Sequence, residues 1–261
     1  MTVVHLDLVP DGDDPDLVSC FAPVVLNGVE RRALLDSGAA RSVFVQDQNW
    51  VIRQEGAAGS GAFGAPRAFR EVTDASVQFA GHDLGVVEVS VVPDAVHGRG
   101  DLIGQDILSR WCVEYRLADG AITVGAPQLG VGVDVSIGAR GHVVADVQWD
   151  HTRRARAVLD TGASVTVVHE GFVARHPELF DLLGTTEGTD ADGTTLETPL
   201  LSMAPMTLLG SLLPATKAVS VDLSAAMLLA DSPFDLILGW PVLSQGIFTI
   251  DHAKGLARHT F

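Results

Sequence analysis

The feature that most constrains this sequence is a seven-residue stretch that occurs twice. The first copy is Ala33-Leu34-Leu35-Asp36-Ser37-Gly38-Ala39, and the second, 124 residues further on, is Ala157-Val158-Leu159-Asp160-Thr161-Gly162-Ala163. Each is an apolar run that stops at an aspartate, followed by a hydroxyl residue, a glycine and an alanine. That pattern describes a buried strand delivering one carboxylate to a tight turn whose backbone the glycine frees. Two such turns face to face would bring two carboxylates together. Like charges at close range cannot both ionise easily, so their proton affinities are forced apart.

A second feature also repeats. Asp101-Leu102-Ile103-Gly104 follows the first turn and Asp235-Leu236-Ile237-Leu238-Gly239 follows the second, with gaps from Asp36 to Gly104 and from Asp160 to Gly239 of 68 and 79 residues. Each is an apolar strand ending in glycine, and an aliphatic pair follows (Ile107-Leu108, Val242-Leu243). One Asp-Ser/Thr-Gly triplet is a weak motif, but two sets in the same order mark an internal duplication. The repeat divides the chain into lobes at 1–125 and 126–261, joined at Gly125-Ala126-Pro127-Gln128-Leu129-Gly130, a short segment rich in turn residues.

The pattern resembles the aspartic peptidase superfamily, in which Asp-Ser/Thr-Gly-Ala and an apolar-apolar-Gly motif occur once per lobe. Each half is similar in length to a retropepsin subunit, and the tandem arrangement to pepsin. The resemblance implies an all-β, pepsin/retropepsin-like acid protease fold. Two β lobes would be related by a pseudo-twofold axis, with the active-site cleft between them. It implies an aspartic endopeptidase in which Asp36 and Asp160 activate a water. Ser37 and Thr161 would bond across the lobes, Gly38 and Gly162 would supply the turn backbone, and Gly104 and Gly239 would support the turns from behind. Ala39 and Ala163 stand where pepsin-like enzymes carry a hydroxyl residue. With fewer hydrogen bonds to its charged form the pair should titrate higher, giving activity at mildly acidic to neutral pH. The glycine-rich segment 56–65 takes the place of a substrate-covering flap, with Gly59, Gly61 and Phe63 as contacts; segment 184–198, with Asp190, Asp192 and Gly193, takes the second flap position. No cofactor and no metal are implied, and the nine histidines show no metal-ligand spacing. The alternative is a non-proteolytic acid/base enzyme using the same aspartates on a small molecule, for a dehydration or cyclisation, because a fold does not fix its chemistry.

Composition narrows the partners. A formal net charge of −16 argues against nucleic acid and anionic membrane surfaces. The sequence has no run of about 18 apolar residues, and its N-terminus lacks a basic, then apolar, export pattern. Its two cysteines, Cys20 and Cys112, therefore read as free thiols in a cytoplasmic protein. Asp36 stands so near the start that an inhibitory prosegment is not expected. A chain carrying both motifs needs no second copy to complete a site, so a monomer acting on a peptide or protein is expected.

The remaining pattern is almost all strand. Asn27-Gly28 between two apolar runs signals a hairpin, and Asp119-Gly120 a second one. Strands at Val72–Phe79 and Leu84–Val92 join at Gly81-His82-Asp83. One longer helix is predicted over Glu170–Leu183, where Phe172, Val173, His176, Leu179, Phe180 and Leu183 follow a helical period.

Overall fold

Both aspartate turns are built by the same local arrangement of strands. Val29–Leu35 runs parallel to Asp101–Ile103, pairing Leu35 with Ile103, and the N–H of Asp36 continues that ladder by donating to the Ile103 carbonyl at 3.0 Å. In the second half Arg154–Leu159 runs parallel to Leu236–Leu238, pairing Leu159 with Leu238, and the N–H of Asp160 donates to the Leu238 carbonyl, also at 3.0 Å. On the far side of each central strand lies the segment that follows the turn, antiparallel to it: Val43–Val45 in one half and Thr166–His169 in the other. The sequence repeat is thus a repeat of strand pairing and register. The structure, a computed structural model, describes all residues except 13, 47–49, 52–53, 57–69, 93–99, 190–194 and 230–232.

The chain is all-β, organised in three sheets. The first holds eight strands from Asp7–Pro10 to Asp101–Ile103, and Val18–Leu26 pairs within it both with Val29–Leu35 and with Arg70–Phe79. That double pairing closes six of the strands into a barrel, which removes their open edges. The second sheet holds ten strands of the second half. The third has six, in the order Thr2–His5, Ala121–Val124, Cys112–Arg116, Ile247–Asp251, Leu256–Thr260 and Val133–Asp134. It takes strands from both halves, with Cys112–Arg116 lying directly against Ile247–Asp251. One continuous apolar core runs through all three sheets, from Leu26, Phe44 and Phe79 through Ile122 and Phe248 to Val147 and Leu238. Across the surface, Lys217 of the second half bridges Asp14 and Asp16 of the first at 2.7 and 3.1 Å.

Several sequence expectations change in detail. The helix over Glu170–Leu183 shrinks to Glu170–Arg175, followed by a 3-10 turn at Pro177–Leu179 and then a strand, Phe180–Thr189. Pro177 cannot supply the N–H that an α-helix needs there and ends it. Leu183 stands exposed on the strand, so its helical spacing carried no burial. The turn after Arg70–Phe79 is Ala80-Gly81, one residue earlier than expected, both with positive φ (54° and 73°). Asn27-Gly28, at φ 51° and 79°, makes the expected hairpin. At the joint, 125–130, Ala126 and Leu129 are buried, and the Leu129 N–H donates to buried Asp251 at 3.0 Å. Cys20 and Cys112 are unpaired and buried. Among the described residues no helix is long and apolar enough to cross a membrane.

Candidate active site

The two aspartate turns meet. The N–H of Ser37 donates to the Thr161 hydroxyl at 3.0 Å and the N–H of Thr161 donates to the Ser37 hydroxyl at 2.9 Å. Each hydroxyl passes its own proton across to the opposite strand: Ser37 Oγ to the Leu159 carbonyl at 2.8 Å and Thr161 Oγ1 to the Leu35 carbonyl at 2.7 Å. Four buried hydrogen bonds, two in each direction, therefore lock the turns together. A residue with one donor and one acceptor on its side chain is required at both places. Serine and threonine meet that need.

The glycines are required by proximity. A Cβ on Gly38 would sit 2.2 Å from Asp160 Oδ2, and one on Gly162 would sit 2.5 Å from Asp36 Cγ. Each turn backbone thus lies directly on the opposite carboxyl group. Behind the turns, the N–H groups of Gln105 and Trp240 donate to the carbonyls of Ala39 and Ala163 at 2.8 and 2.9 Å. A Cβ on Gly104 would fall 2.6 Å from the Arg41 backbone, and one on Gly239 would fall 2.4 Å from the Val165 carbonyl. The residues after the turns brace these glycines: the N–H of Gly104 donates to Ser42 Oγ at 2.9 Å and that of Gly239 to Thr166 Oγ1 at 3.3 Å.

The carboxylates sit in unequal surroundings. Asp160 Oδ1 accepts the N–H of Gly162 at 2.8 Å and that of Gly38 at 3.2 Å. Asp36, 8% exposed, has its Oδ1 buried without a hydrogen-bond partner. Burial pushes both groups above the ordinary carboxylate range. Asp36 is pushed well above it, by burial first and by the negative charge of Asp160 second, against the opposing pull of the Ala39 and Gly38 N–H groups. Burial also raises Asp160, but the Gly162 N–H, a hydrogen bond from Asp36, the Gly38 N–H and the charge of His142 pull it back. The two groups therefore titrate as a pair, and their mutual charge favours the state in which one proton is shared between them.

The structure thus brings together Asp36, Asp160, Ser37, Thr161, Gly38, Gly162, Ala39, Ala163, Gly104 and Gly239. Gly59, Gly61, Phe63, Asp190, Asp192 and Gly193 lie outside the described residues. Three residues of the site escaped the sequence reading. Gln105, 1% exposed, donates from Nε2 to the Ser37 carbonyl at 2.8 Å. His142, next to a tight turn, is near enough to Asp160 to act on its charge. Tyr115, the chain's only tyrosine, lines a void of about 10 Å³ with Ser37 and Thr161 behind the turns. Its hydroxyl is buried without a partner. The repeat carries no signal for any of the three, because none has a counterpart of the same type in the other half. Among the described residues no cluster of three or more His, Cys, Asp or Glu side chains could hold a metal ion.

Comparison with known proteins fixes the fold and corrects the family. No family model matches the chain, and no curated protein sequence matches it. Solved structures do. Conglutin gamma, a basic 7S globulin from lupine seeds, matches with a TM-score of 0.55 at 11% identity, over 98% of this chain and 94% of its own. Basic 7S globulin from soybean matches with a TM-score of 0.52 at 12% identity, over the same shares. These structures are seed globulins, and they overturn the assignment to the aspartic peptidase superfamily that the paired motifs suggested. At such identities the likeness concerns fold alone. What the site does has to be argued from its own geometry.

Proposed function

We propose that this chain hydrolyses peptide bonds with a water activated between Asp36 and Asp160. The observation that carries the reading is a coupled pair: two carboxyl groups on interlocked turns, Asp36 buried with an unpartnered oxygen and Asp160 partly buried and held by two N–H groups, both raised above the ordinary carboxylate range. A buried pair sharing one proton offers a base and an acid in one place near neutral pH. Asp160 takes a proton from the water, whose oxygen forms a bond to the peptide carbonyl carbon, while Asp36 gives its proton to the carbonyl oxygen. The resulting gem-diol collapses as Asp160 returns its proton to the amide nitrogen and Asp36 recovers one from a hydroxyl. The C–N bond breaks, and a carboxylic acid and an amine leave. The unpartnered Oδ1 of Asp36 supports this reading, since a buried carboxyl oxygen without a hydrogen bond is costly to keep unless a reacting group uses it. The same proposal includes a cleft between two β halves related by an approximate twofold axis, a peptide as substrate and a single chain as the working unit.

The test is cleavage of an unbiased peptide library from pH 3 to 8, read by mass spectrometry, with Asp36→Asn and Asp160→Asn alongside. Cleavage by the wild type that both variants lose is the expected result. Absence of cleavage by folded wild type at every pH would overturn the peptidase reading in favour of acid/base chemistry on another substrate.

A further inference from the structure

The two halves of the site differ at the residue that follows the motif glycine: Gln105 in one, Trp240 in the other. Gln105 Nε2 donates to the carbonyl of Ser37 at 2.8 Å. The other end of that same peptide unit is the N–H of Gly38, which donates to Asp160 Oδ1 at 3.2 Å. A side-chain amide, one peptide group and one carboxylate thus form a single chain of hydrogen bonds. A peptide whose carbonyl accepts a hydrogen bond becomes a stronger donor at its N–H. In the second half, among the described residues, no side-chain amide reaches the Thr161 carbonyl, so the Thr161–Gly162 peptide lacks this partner.

The placement of Gln105 is costly in other respects. It is 1% exposed, and its Oε1 is buried without a partner. An apolar side chain would fill the place without that orphan. The amide cannot turn round to relieve it, because its oxygen would then face the Ser37 carbonyl, acceptor against acceptor. The position is also clamped from the other half. The turn at Gly141 (φ 88°) lies so close that a Cβ there would sit 2.8 Å from Gln105 Cβ.

We propose that Gln105 is a positioning residue that assigns the pair's single proton to Asp36, by polarising the Ser37–Gly38 peptide toward Asp160. This rests on reading Asp36 and Asp160 as an acid/base pair, and it adds which member is the base and what makes it so. Gln105 acts through the peptide and touches no reacting atom.

The experiment reads the amide resonances of Gly38 and Gly162 and the carboxyl ¹³C titrations of Asp36 and Asp160 in wild type, Gln105→Met and Gln105→Glu. Methionine keeps the length and removes the donor. In Gln105→Met the Gly38 amide proton should move upfield while that of Gly162 stays. The Asp160 ionisation should rise by a few tenths of a unit, the size expected when polarisation strengthens a charge-assisted bond by about 10–30%. In Gln105→Glu the Gly38 resonance should gain a second pH-dependent step, beside the one it follows from Asp160, because the side chain donates to Ser37 only while protonated. The acidic limb of kcat/KM should move with the Asp160 ionisation and leave KM nearly unchanged. An unmoved Gly38 resonance and an unmoved Asp160 titration in Gln105→Met would overturn the proposal. So would a wild type in which Asp160 carries the proton, a result that stands even if Gln105→Met does not fold. The resonances need no substrate, so failure of the peptidase reading and failure of this proposal are separately visible.

Discussion

Replacing Thr161 with valine keeps the shape of the side chain and removes both of its hydrogen bonds. Two partners are left behind in the interior: the Ser37 N–H, which loses an acceptor at 3.0 Å, and the Leu35 carbonyl, which loses a donor at 2.7 Å. Each buried group left unpaired costs about 1–3 kcal/mol, so the bracket is roughly 2–6 kcal/mol. The turns lie beside the site, where slight separation and water entry relieve part of that, and about 2–4 kcal/mol is expected. Ser37→Ala strands the Thr161 N–H and the Leu159 carbonyl and should cost a similar amount. The four bonds hold one interface, so loosening it through either residue weakens the bonds of the other. The double variant should therefore lose about 1–2 kcal/mol less than the sum of the singles. Urea unfolding followed by the fluorescence of the four tryptophans measures all three differences, with an unchanged m-value showing that stability alone has moved. A single variant within about 0.5 kcal/mol of wild type, or strictly additive losses, would refute the argument that this interlock holds the halves together.

Two further outcomes follow from the same site. The folded-state pKa of Asp36 is raised, so the native state binds the extra proton more tightly than the unfolded chain does. Its contribution to stability is complete below the unfolded value near 3.8 and is lost as pH rises through the folded value. Asp36→Asn removes that loss, so thermal unfolding from pH 4 to 8 should show the variant gaining on wild type as pH increases; an equal difference at all pH values would contradict the raised pKa. Tyr115→Phe removes a buried hydroxyl that has no partner and should be neutral or stabilising by up to about 1 kcal/mol in urea unfolding. A loss beyond about 1 kcal/mol would mean that the hydroxyl is bonded in solution.

The parts of the site legible in sequence are those the chain states twice. An apolar run ending in Asp-Ser-Gly or Asp-Thr-Gly specifies a buried strand, a carboxylate and a turn. The second apolar-Gly motif specifies the neighbouring strand that fixes the height of that carboxylate. From these come the pairing of Leu35 with Ile103 and of Leu159 with Leu238, and the exchange of hydroxyl bonds across the turns. What was not legible depends on contacts between distant residues that share no pattern. The closure of the first barrel rests on Val24–Leu26 meeting Val77–Phe79. The strand Phe180–Thr189 hid behind apolar residues at helical spacing, because spacing describes a face without saying whether anything covers it. The family assignment failed for a related reason. A short motif set describes a turn and its chemistry, whereas the matched globulins share only 11–12% of residues and agree with this chain in fold.

A duplicated site poses a problem that its own motif cannot solve. Two identical turns give two equivalent carboxyl groups, and equivalent groups have no reason to hold a shared proton on one side. The asymmetry has to come from residues outside the repeat, and in this chain it does so at three places. Ser42, which braces Gly104, is itself held by Asp106 through its N–H at 2.8 Å and its hydroxyl at 2.7 Å; Thr166, which braces Gly239, has Pro241 at the matching position. Gln105 polarises one turn peptide, where Trp240 leaves the other without an amide partner. An electrostatic interaction with His142 favours the charged form of Asp160. Gln105 and His142 both favour the ionised form of Asp160, while Asp36 keeps an oxygen buried without a partner. Joining the two halves in one chain is what allows such differences, since two copies of a single sequence would have to carry the same residue at both positions.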